Sequence, residues 1–588
     1  MNMPASLSSN PSITVSAYTS KGNKPINQDA LAYRIGTHSS NSDAQSASIF
    51  VIADGVSSST VSQIASDFAT SQFLALFTIA PEQWSLADTA LTIIKELNAR
   101  LYTRNQQSAF CYTPEKGYVC TLSVLIVYDG QLHIFHVGDG EISVMSQDES
   151  VTLTQAHRQP CEEDPRHSYL SGALGVSADI AIDHITYTLT APCTIAMSTD
   201  GVHEFIDIKT VLTQIHGNAV LTSDMAEKQV QQAIHNGSTD NLTLVLVKLS
   251  HIAPVEQNKK KADFPEVIAL QVGDCVDNLE LKRQLYTSAR SHAFLAQPLS
   301  LRSEVNNSSL VVKVPATDFA QSAQALKQCC IETWMARRIS SAHVIQSPLF
   351  SEIGLPQTPN AFYCLTNFVD GQTLAQWMLD NPLPSLEQVR NIIEQVADGL
   401  QAMHRQGILH RDIRPDNIMI TPEGFCTIID LGEAALIDAP SLYSDSPIPG
   451  DVLYCAPEYF LGEVGNEQSD LFSLAVLTYA LLCGRYPYGT KVAHCRTLAA
   501  QYKLKYETAM DVQRSIPLWI DSTLQRALHI VPVKRFATLS EFVFALRYPH
   551  PGRHNHAQPL IKRHPLFFYK ALALILVLTN LITLIVLT

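Results

Sequence analysis

His410-Arg411-Asp412-Ile413-Arg414-Pro415-Asp416-Asn417, with Asp430-Leu431-Gly432 thirteen residues beyond Asn417, constrains this chain more than any other stretch. Read blandly, it is a polar turn after a helix, with acids exposed by chance. Eight residues at fixed offsets argue against chance, and the surroundings agree. Val389 to Met403 is apolar with helical periodicity, which predicts a buried helix running into the loop. Leu310-Val311-Val312-Lys313-Val314 predicts a strand carrying a single lysine, and Ala325 to Ile339 predicts a helix that contains Glu332.

Asp412, Asn417 and Asp430 are the groups that phosphoryl transfer from ATP requires: a carboxylate beside the accepting hydroxyl and two oxygen ligands for magnesium. Their order and spacing resemble the catalytic and metal loops of eukaryotic-type serine/threonine protein kinases. The resemblance covers about residues 267–547. It implies that Lys313 contacts the ATP phosphates and pairs with Glu332. It also implies that Thr366, Asn367 and Phe368 line the adenine pocket and that Asp412 is the catalytic acid–base group. Asn417 and Asp430 would hold Mg2+ with ATP. Asp470 resembles the acid that braces the catalytic loop, and Arg535 would pair with Glu458 of Ala456-Pro457-Glu458.

The chain departs from this pattern in three places. Tyr286, Ser288 and Ser291 fill the glycine positions of the phosphate loop, where side chains weaken the approach of backbone amides to phosphate. Leu431 stands where phenylalanine is usual. Arg414 replaces the catalytic-loop lysine while Asp451 replaces its threonine partner, so an Arg–Asp pair is expected there. Arg411 implies control by a phosphate in the activation segment, with Ser441, Ser444 and Ser446 as candidates.

The first 250 residues hold a second set of acids. Strand-like runs end in Asp54-Gly55, Asp139-Gly140 and Asp200-Gly201, and Asp240-Asn241 opens the strand Leu242 to Leu249. Any one Asp-Gly reads best as a turn, and Asp129-Gly130 predicts a two-residue hairpin between Leu122–Tyr128 and Gln131–Val137. Taken in order with Asn27-Gln28-Asp29, the set resembles the metal-dependent type 2C (PPM) protein phosphatases over about residues 13–249. The resemblance implies two or three Mn2+ or Mg2+ ions, bound by hard oxygen ligands. Two ions roughly 4 Å apart can share a hydroxide that attacks phosphorus. Asp54 would bridge them and Gly55 offer its carbonyl. Asp200 and Asp240 would hold one ion, Asp29 would orient water at the other, and Asp139 would serve a weaker third. Lys24 stands at the position of a phosphate-binding arginine, and Gln28 and Ser57-Ser58 depart from the usual glutamate and glycine pair.

A chain of 588 residues exceeds one hydrophobic core. The expected architecture is multidomain: an N-terminal α/β phosphatase of two packed antiparallel sheets flanked by helices, then an α+β bilobal kinase, then one transmembrane helix. The expected segments are 13–249, a linker at 250–266, 267–547, a juxtamembrane linker at 548–566, and the helix at 567–588. Net charge −14 argues against a nucleic-acid partner. Twelve cysteines without a Cys-x-x-Cys pair fit a reducing cytoplasm. The last eighteen residues are uncharged and apolar on every face, long enough as a helix to cross a bilayer core. Lys562, Arg563 and Lys570 precede them, which predicts a tail anchor in the inner membrane with both domains in the cytoplasm. Asn580 could join two such helices in a homodimer.

The leading expectation is a bacterial bifunctional enzyme acting on phosphoproteins and on ATP. Its rival is an active phosphatase regulated by a nucleotide-binding pseudokinase.

Overall fold

The computed structural model describes residues 13–36, 47–147, 149–160, 168–217, 220–250, 264–288, 291–299, 309–316, 322–356, 359–439, 448–510, 516–549, 570 and 572–573. The N-terminal part is a sandwich of two antiparallel sheets. Its strands are β1 (Ile13–Ser20), β2 (Ala30–Arg34), β3 (Ser48–Ala53), β4 (Leu122–Tyr128), β5 (Gln131–Val137), β6 (Glu141–Ser146), β7 (Glu149–Thr152), β8 (Arg158–Pro160), β9 (Ser168–Leu170), β10 (Asp183–Thr188), β11 (Cys193–Ser198) and β12 (Leu242–Leu249). One sheet runs β1-β12-β11-β6-β7 and the other β10-β5-β4-β3-β2, while β8 and β9 form a separate ribbon. Phe50, Ile52, Leu125, Ile134, Ile195 and Val247 fill the space between the sheets.

Helices cover both outer faces. The pair α1 (Ser62–Thr78) and α2 (Leu86–Gln106) lies on the second sheet, and α3 (Ile208–Gly217) with α4 (Met225–His235) lies on the first. Because both faces are covered, β3 and β11 are buried at all six positions, so neither alternates between apolar and polar residues. The Asp129-Gly130 turn joins β4 to β5 with φ of 45° and 68°, the left-handed pair that a two-residue hairpin needs.

The C-terminal part has two lobes. Strands β13 (Cys275–Val276), β14 (Leu279–Thr287), β15 (Ser291–Pro298), β16 (Leu310–Pro315) and β17 (Cys364–Asn367) form one sheet in chain order, beside α5 (Ala323–Arg338). Ser322 caps α5 through its side chain, and the helix starts at Ala323, two residues ahead of the expected Ala325. The second lobe is helical. In it α6 (Leu386–Arg405) begins with a capping box of Ser385 and Gln388, and its buried stripe runs from Val389 to Met403. Helix α7 (Glu467–Cys483) is buried from Ser469 to Leu482, which explains its lack of a polar face.

A continuous apolar core runs from α1 and α2 through α5 into α6 and α7, so the two parts share one interior. Among the described residues no helix is long and apolar enough to cross a membrane. The expected anchor at 567–588 lies outside the described residues apart from Lys570, Leu572 and Ala573, which are helical. Ser441, Ser444 and Ser446 also lie outside them.

Candidate active sites

Asp54 leaves the end of β3, held by mutual bonds with Thr121: the Asp54 amide donates to Oγ1 at 3.0 Å and the Thr121 amide to the Asp54 carbonyl at 2.8 Å. The glycines after Asp54 and Asp200 serve close packing rather than a turn. Neither has positive φ. A Cβ on Gly55 would lie 2.7 Å from the Gln28 carbonyl, and one on Gly201 would lie 2.1 Å from the Asn241 carbonyl. These contacts draw three chain segments together. Asn241 completes the tie, accepting from the Gln28 amide at 3.0 Å and donating to the carbonyls of Lys21 and Ile26.

Asp29, Asp54, Asp139, Asp200 and Asp240 therefore meet at one end of the sandwich, close enough to perturb one another. Burial, then repulsion from Asp29, Asp200, Asp139 and Asp240, pushes the Asp54 carboxyl well above the usual range. Burial raises Asp29 to about 6, although Thr243 and Thr199 donate to its Oδ2 at 2.7 and 2.9 Å. Burial and the neighbouring acids also raise Asp200, against the pull of Arg158.

Two side-chain cations answer these five acids. Lys24, expected to bind phosphate, contacts Asp240 and donates to Ser57 Oγ at 2.8 Å. Arg158 on β8, which no motif singles out, bonds Asp139 at 2.7 Å, Asp200 at 2.9 Å and Glu204 at 2.9 Å. Gln28 turns inward, donating to the Ser59 carbonyl and Ser62 Oγ at 2.8 and 2.6 Å, so it packs the loop. His136 is also missed by the sequence reading. It bonds Ser123 Oγ and the Gly138 carbonyl, each at 2.9 Å, and burial lowers it to about 4, so it is neutral at pH 7.

Among the described residues no three acid, imidazole or thiol groups form a ready metal cage. The donor chemistry nevertheless fits hard divalent cations. Five carboxylates face two side-chain cations, and Asp29 Oδ1 and Asp200 Oδ1 are buried without a hydrogen-bond partner. Protons and metal should then compete for the same oxygens. A carboxyl raised by folding binds more protons folded than unfolded, so its contribution to stability falls as pH rises from about 4 through 6. Manganese should therefore raise the melting temperature of the chain more at pH 7.5 than at pH 5. Equal shifts at the two pH values, measured by calorimetry, would remove these acids as ligands.

In the second site Lys313 of β16 meets Glu332 of α5 at 2.7 and 2.9 Å, with Asp430 at 3.9 Å. Burial opposes the ammonium, but Glu332 and Asp430 outweigh it and hold Lys313 protonated. Burial likewise opposes ionisation of Asp430. Lys313 and the Gly432 amide, which donates at 3.0 Å, still keep its pKa below the ordinary range. Asp412 accepts from Asn417 Nδ2 at 2.8 Å and from the Asp451 amide at 2.9 Å. Gly450 permits the latter contact: its φ is +64°, and a Cβ there would lie 2.2 Å from Asp412 Oδ1. Asp470 braces the loop, taking the amides of His410 and Arg411 at 2.9 Å and His404 Nε2 at 2.8 Å. That brace holds Arg411 at φ 70°. The fully buried Arg535 pairs with Glu458 at 2.7 Å through both carboxylate oxygens.

Arg414 reaches Asp451 through one contact of 3.4 Å, with Asp416 at 3.6 Å and Asp412 at 4.0 Å, so it is not a fork on one carboxylate. Of the residues expected at the adenine pocket, Thr366 sits on β17 opposite Val311, and the amides of Asn367 and Phe368 donate to the carbonyls of Gln346 and Ser309. Those two amides are occupied within the protein. At the phosphate loop the Ser288 amide donates to the Ser291 carbonyl at 2.9 Å, and Ser288 Oγ closes the turn, while Tyr286 is exposed.

Residues 20–240 match the family model for protein phosphatase 2C, and residues 296–544 match that for the protein kinase domain. The chain thus joins a phosphatase 2C-like domain to a protein kinase domain. A serine/threonine-protein kinase, drp72, of Corynebacterium efficiens is 28% identical over 249 residues, covering 41% of this chain and 46% of that protein. Serine/threonine-protein kinase Pkn1 of Myxococcus xanthus is 28% identical over 282 residues, covering 47% of this chain and 39% of that protein. The chain therefore spans less than half the length of these relatives. The solved S. agalactiae serine/threonine phosphatase superposes on 40% of this chain and all of its own, at 20% identity and a TM-score of 0.35.

Proposed function

We propose that the chain is a bifunctional enzyme of reversible protein phosphorylation. One domain hydrolyses phosphoserine and phosphothreonine in proteins, and the other transfers the γ-phosphoryl group of ATP to serine or threonine. The observation that carries this reading is the joint assembly of Lys313–Glu332–Asp430 and Asp412–Asn417 in a chain that also gathers five acids at one end of a sandwich.

In the phosphatase site Asp29, Asp54, Asp139, Asp200 and Asp240 would hold Mn2+ or Mg2+, two ions or three, with the Gly55 carbonyl beside them. The ions would supply an activated water and neutralise charge on the leaving oxygen. Lys24 would trade Asp240 for substrate phosphate once a metal relieves that acid. Thr199 and Thr243 orient Asp29 through its Oδ2.

In the kinase site Lys313 would bind the ATP phosphates while Glu332 keeps it aimed. Asn417 and Asp430 would hold Mg2+. Asp412, fixed by Asn417 and the Asp451 amide, would accept the proton of the attacking hydroxyl. Arg414 balances the acids around that carboxylate. Transfer of label from γ-labelled ATP, together with metal-dependent hydrolysis of phosphopeptides by one preparation, tests both halves. A second reading, a nucleotide-binding pseudokinase controlling the phosphatase, draws on the phosphate loop, whose serines close their own turn.

We further propose that 567–588 anchors the chain in the inner membrane with both domains in the cytoplasm, and that the helices pair through Asn580 into a homodimer. The length and uniform apolarity of 571–588 and the basic residues ahead of that run support this. Deleting 566–588 should move the protein from the membrane pellet to the supernatant with both activities kept. Full-length protein found in the supernatant would refute the anchor.

A further inference from the structure

Helix α5 presents two opposite faces to two different domains. At about 100° per residue, Trp334, Arg337 and Arg338 fall on the side away from Glu332. Glu332 faces Lys313. The other face is held by α1, α2 and the segment between them. Trp334 is fully buried, donates from Nε1 to the Leu76 carbonyl at 3.2 Å, and meets Trp84 edge-on with ring centroids 5.1 Å apart. Arg338 bonds both carboxylate oxygens of Glu96 at 3.0 and 2.9 Å, and its guanidinium lies 4.0 Å over the Trp334 ring. Arg337 bonds both oxygens of Glu82 at 3.1 and 2.8 Å. Glu82 in turn accepts from the Phe350 amide at 2.9 Å, and Gln83 donates to the Tyr363 carbonyl at 2.6 Å, next to the start of β17.

None of the four charged side chains exceeds 6% exposure. A buried pair resists separation, because removing one partner leaves the other charged and desolvated. Arg338 forks Glu96 through Nη1 and Nη2, a match that holds in one orientation, and Arg337 reaches both Glu82 oxygens through Nη2. They fix the rotation of α5 about its axis as well as its position. That rotation decides whether Glu332 points at Lys313.

We propose that the N-terminal domain is a built-in positioning element of the kinase. By clamping the outer face of α5 it keeps Glu332 on Lys313, so nucleotide binding depends on the phosphatase fold independently of phosphatase chemistry. Trp84, Glu82 and Glu96 on one side and Trp334, Arg337 and Arg338 on the other are the positioning residues. Linkage requires the reciprocal effect: Mg-ATP tightens the clamp. The inference rests on the ATP-binding reading of the second site given above.

The test uses the full chain with Glu82→Lys and Glu96→Lys, which set like charges against Arg337 and Arg338, and separately Trp84→Ala, which leaves every charge in place. Affinity for Mg-ATP is measured with a fluorescent ATP analogue, alongside KM for ATP, phosphopeptide hydrolysis and hydrogen exchange over 323–338. Affinity should fall about tenfold in the charge variant, within the usual range of coupling between sites, with KM rising more than kcat falls. Exchange over 323–338 should rise, and hydrolysis of phosphopeptides should change less than about twofold. Adding Arg337→Glu and Arg338→Glu should recover most of the affinity. Mg-ATP should also slow exchange in α1 and α2 of the wild type. Unchanged affinity in both the charge variant and Trp84→Ala overturns the clamp. If affinity falls while the wild type transfers no phosphate, the clamp stands and the kinase reading fails. A wild type that binds no Mg-ATP overturns both.

Discussion

Asp54→Asn will abolish metal-dependent phosphopeptide hydrolysis and make the chelator-treated protein more stable to heat. The two effects have one origin. Asp54 is buried, and four other acids raise its carboxyl well above the ordinary range, so folding opposes its charge. Asparagine keeps the shape and removes the repulsion, which should raise the melting temperature by roughly a few degrees. The same change removes the acid expected to touch both ions. Metal charge stabilisation contributes several kcal/mol, and about 4 kcal/mol corresponds to roughly a thousandfold in rate. Asp200→Asn and Asp240→Asn should follow in activity. Asp240→Asn should differ in stability, because it strands the Lys24 ammonium that contacts Asp240. Phosphopeptide turnover and calorimetry with and without manganese give both numbers. Wild-type turnover that survives chelation at full rate removes the metal mechanism. An Asp54→Asn protein that melts lower than wild type in chelator removes the account of mutual repulsion.

Local chemistry made part of this molecule readable from its sequence. The Asp129-Gly130 hairpin follows from two residues that tolerate positive φ, and its flanking strands begin and end at the expected residues. Helix α6 follows from a long apolar stripe, and its cap lies four residues ahead of the stripe's start at Val389 because Ser385 and Gln388 bond reciprocally. The acids of the first site are readable as an ordered set, although each Asp-Gly alone looks like a turn. Gly55 and Gly201 are glycines because another segment's carbonyl lies where a Cβ would be, a reason no local pattern carries.

What stayed hidden depends on contacts distant in sequence. Arg158 gains its place from Asp139, Asp200 and Glu204, up to 46 residues away, and an arginine near histidine and proline has no signature of that role. Lys24 could be aligned to a phosphate-binding position, but its contact with Asp240 spans 216 residues. Glu82, Glu96, Arg337 and Arg338 read as ordinary surface charges on helices and loops. Their burial exists only because α1 and α2 lie against α5. Periodicity reports that a helix has an apolar face and is silent about which domain covers it.

Asp412→Asn will eliminate label transfer from γ-labelled ATP while leaving Mg-ATP affinity nearly unchanged. The carboxylate accepts from Asn417 at 2.8 Å and from the Asp451 amide at 2.9 Å, so an amide of nearly the same shape keeps one of these two contacts and cannot take a proton. Lys313, Glu332 and Asp430 stay paired, which keeps the phosphate and metal groups in place. Proton transfer by a positioned side chain contributes about 10²–10⁴-fold, enough to bring incorporation to background. The altered phosphate loop acts on the other parameter. Serines at 288 and 291 satisfy each other within the turn, so backbone donors that could hold phosphate are fewer and the ATP requirement should rise before the chemical step slows. On the proposed reading the phosphatase domain would erase the kinase's own marks, which bears on the readout. Asp54→Asn should therefore increase incorporation, and Asp54→Asn with Asp412→Asn should return it to background. Equal label in that double variant and in Asp54→Asn alone, at millimolar ATP, would show that Asp412 transfers no phosphate and leave the second domain as a nucleotide sensor.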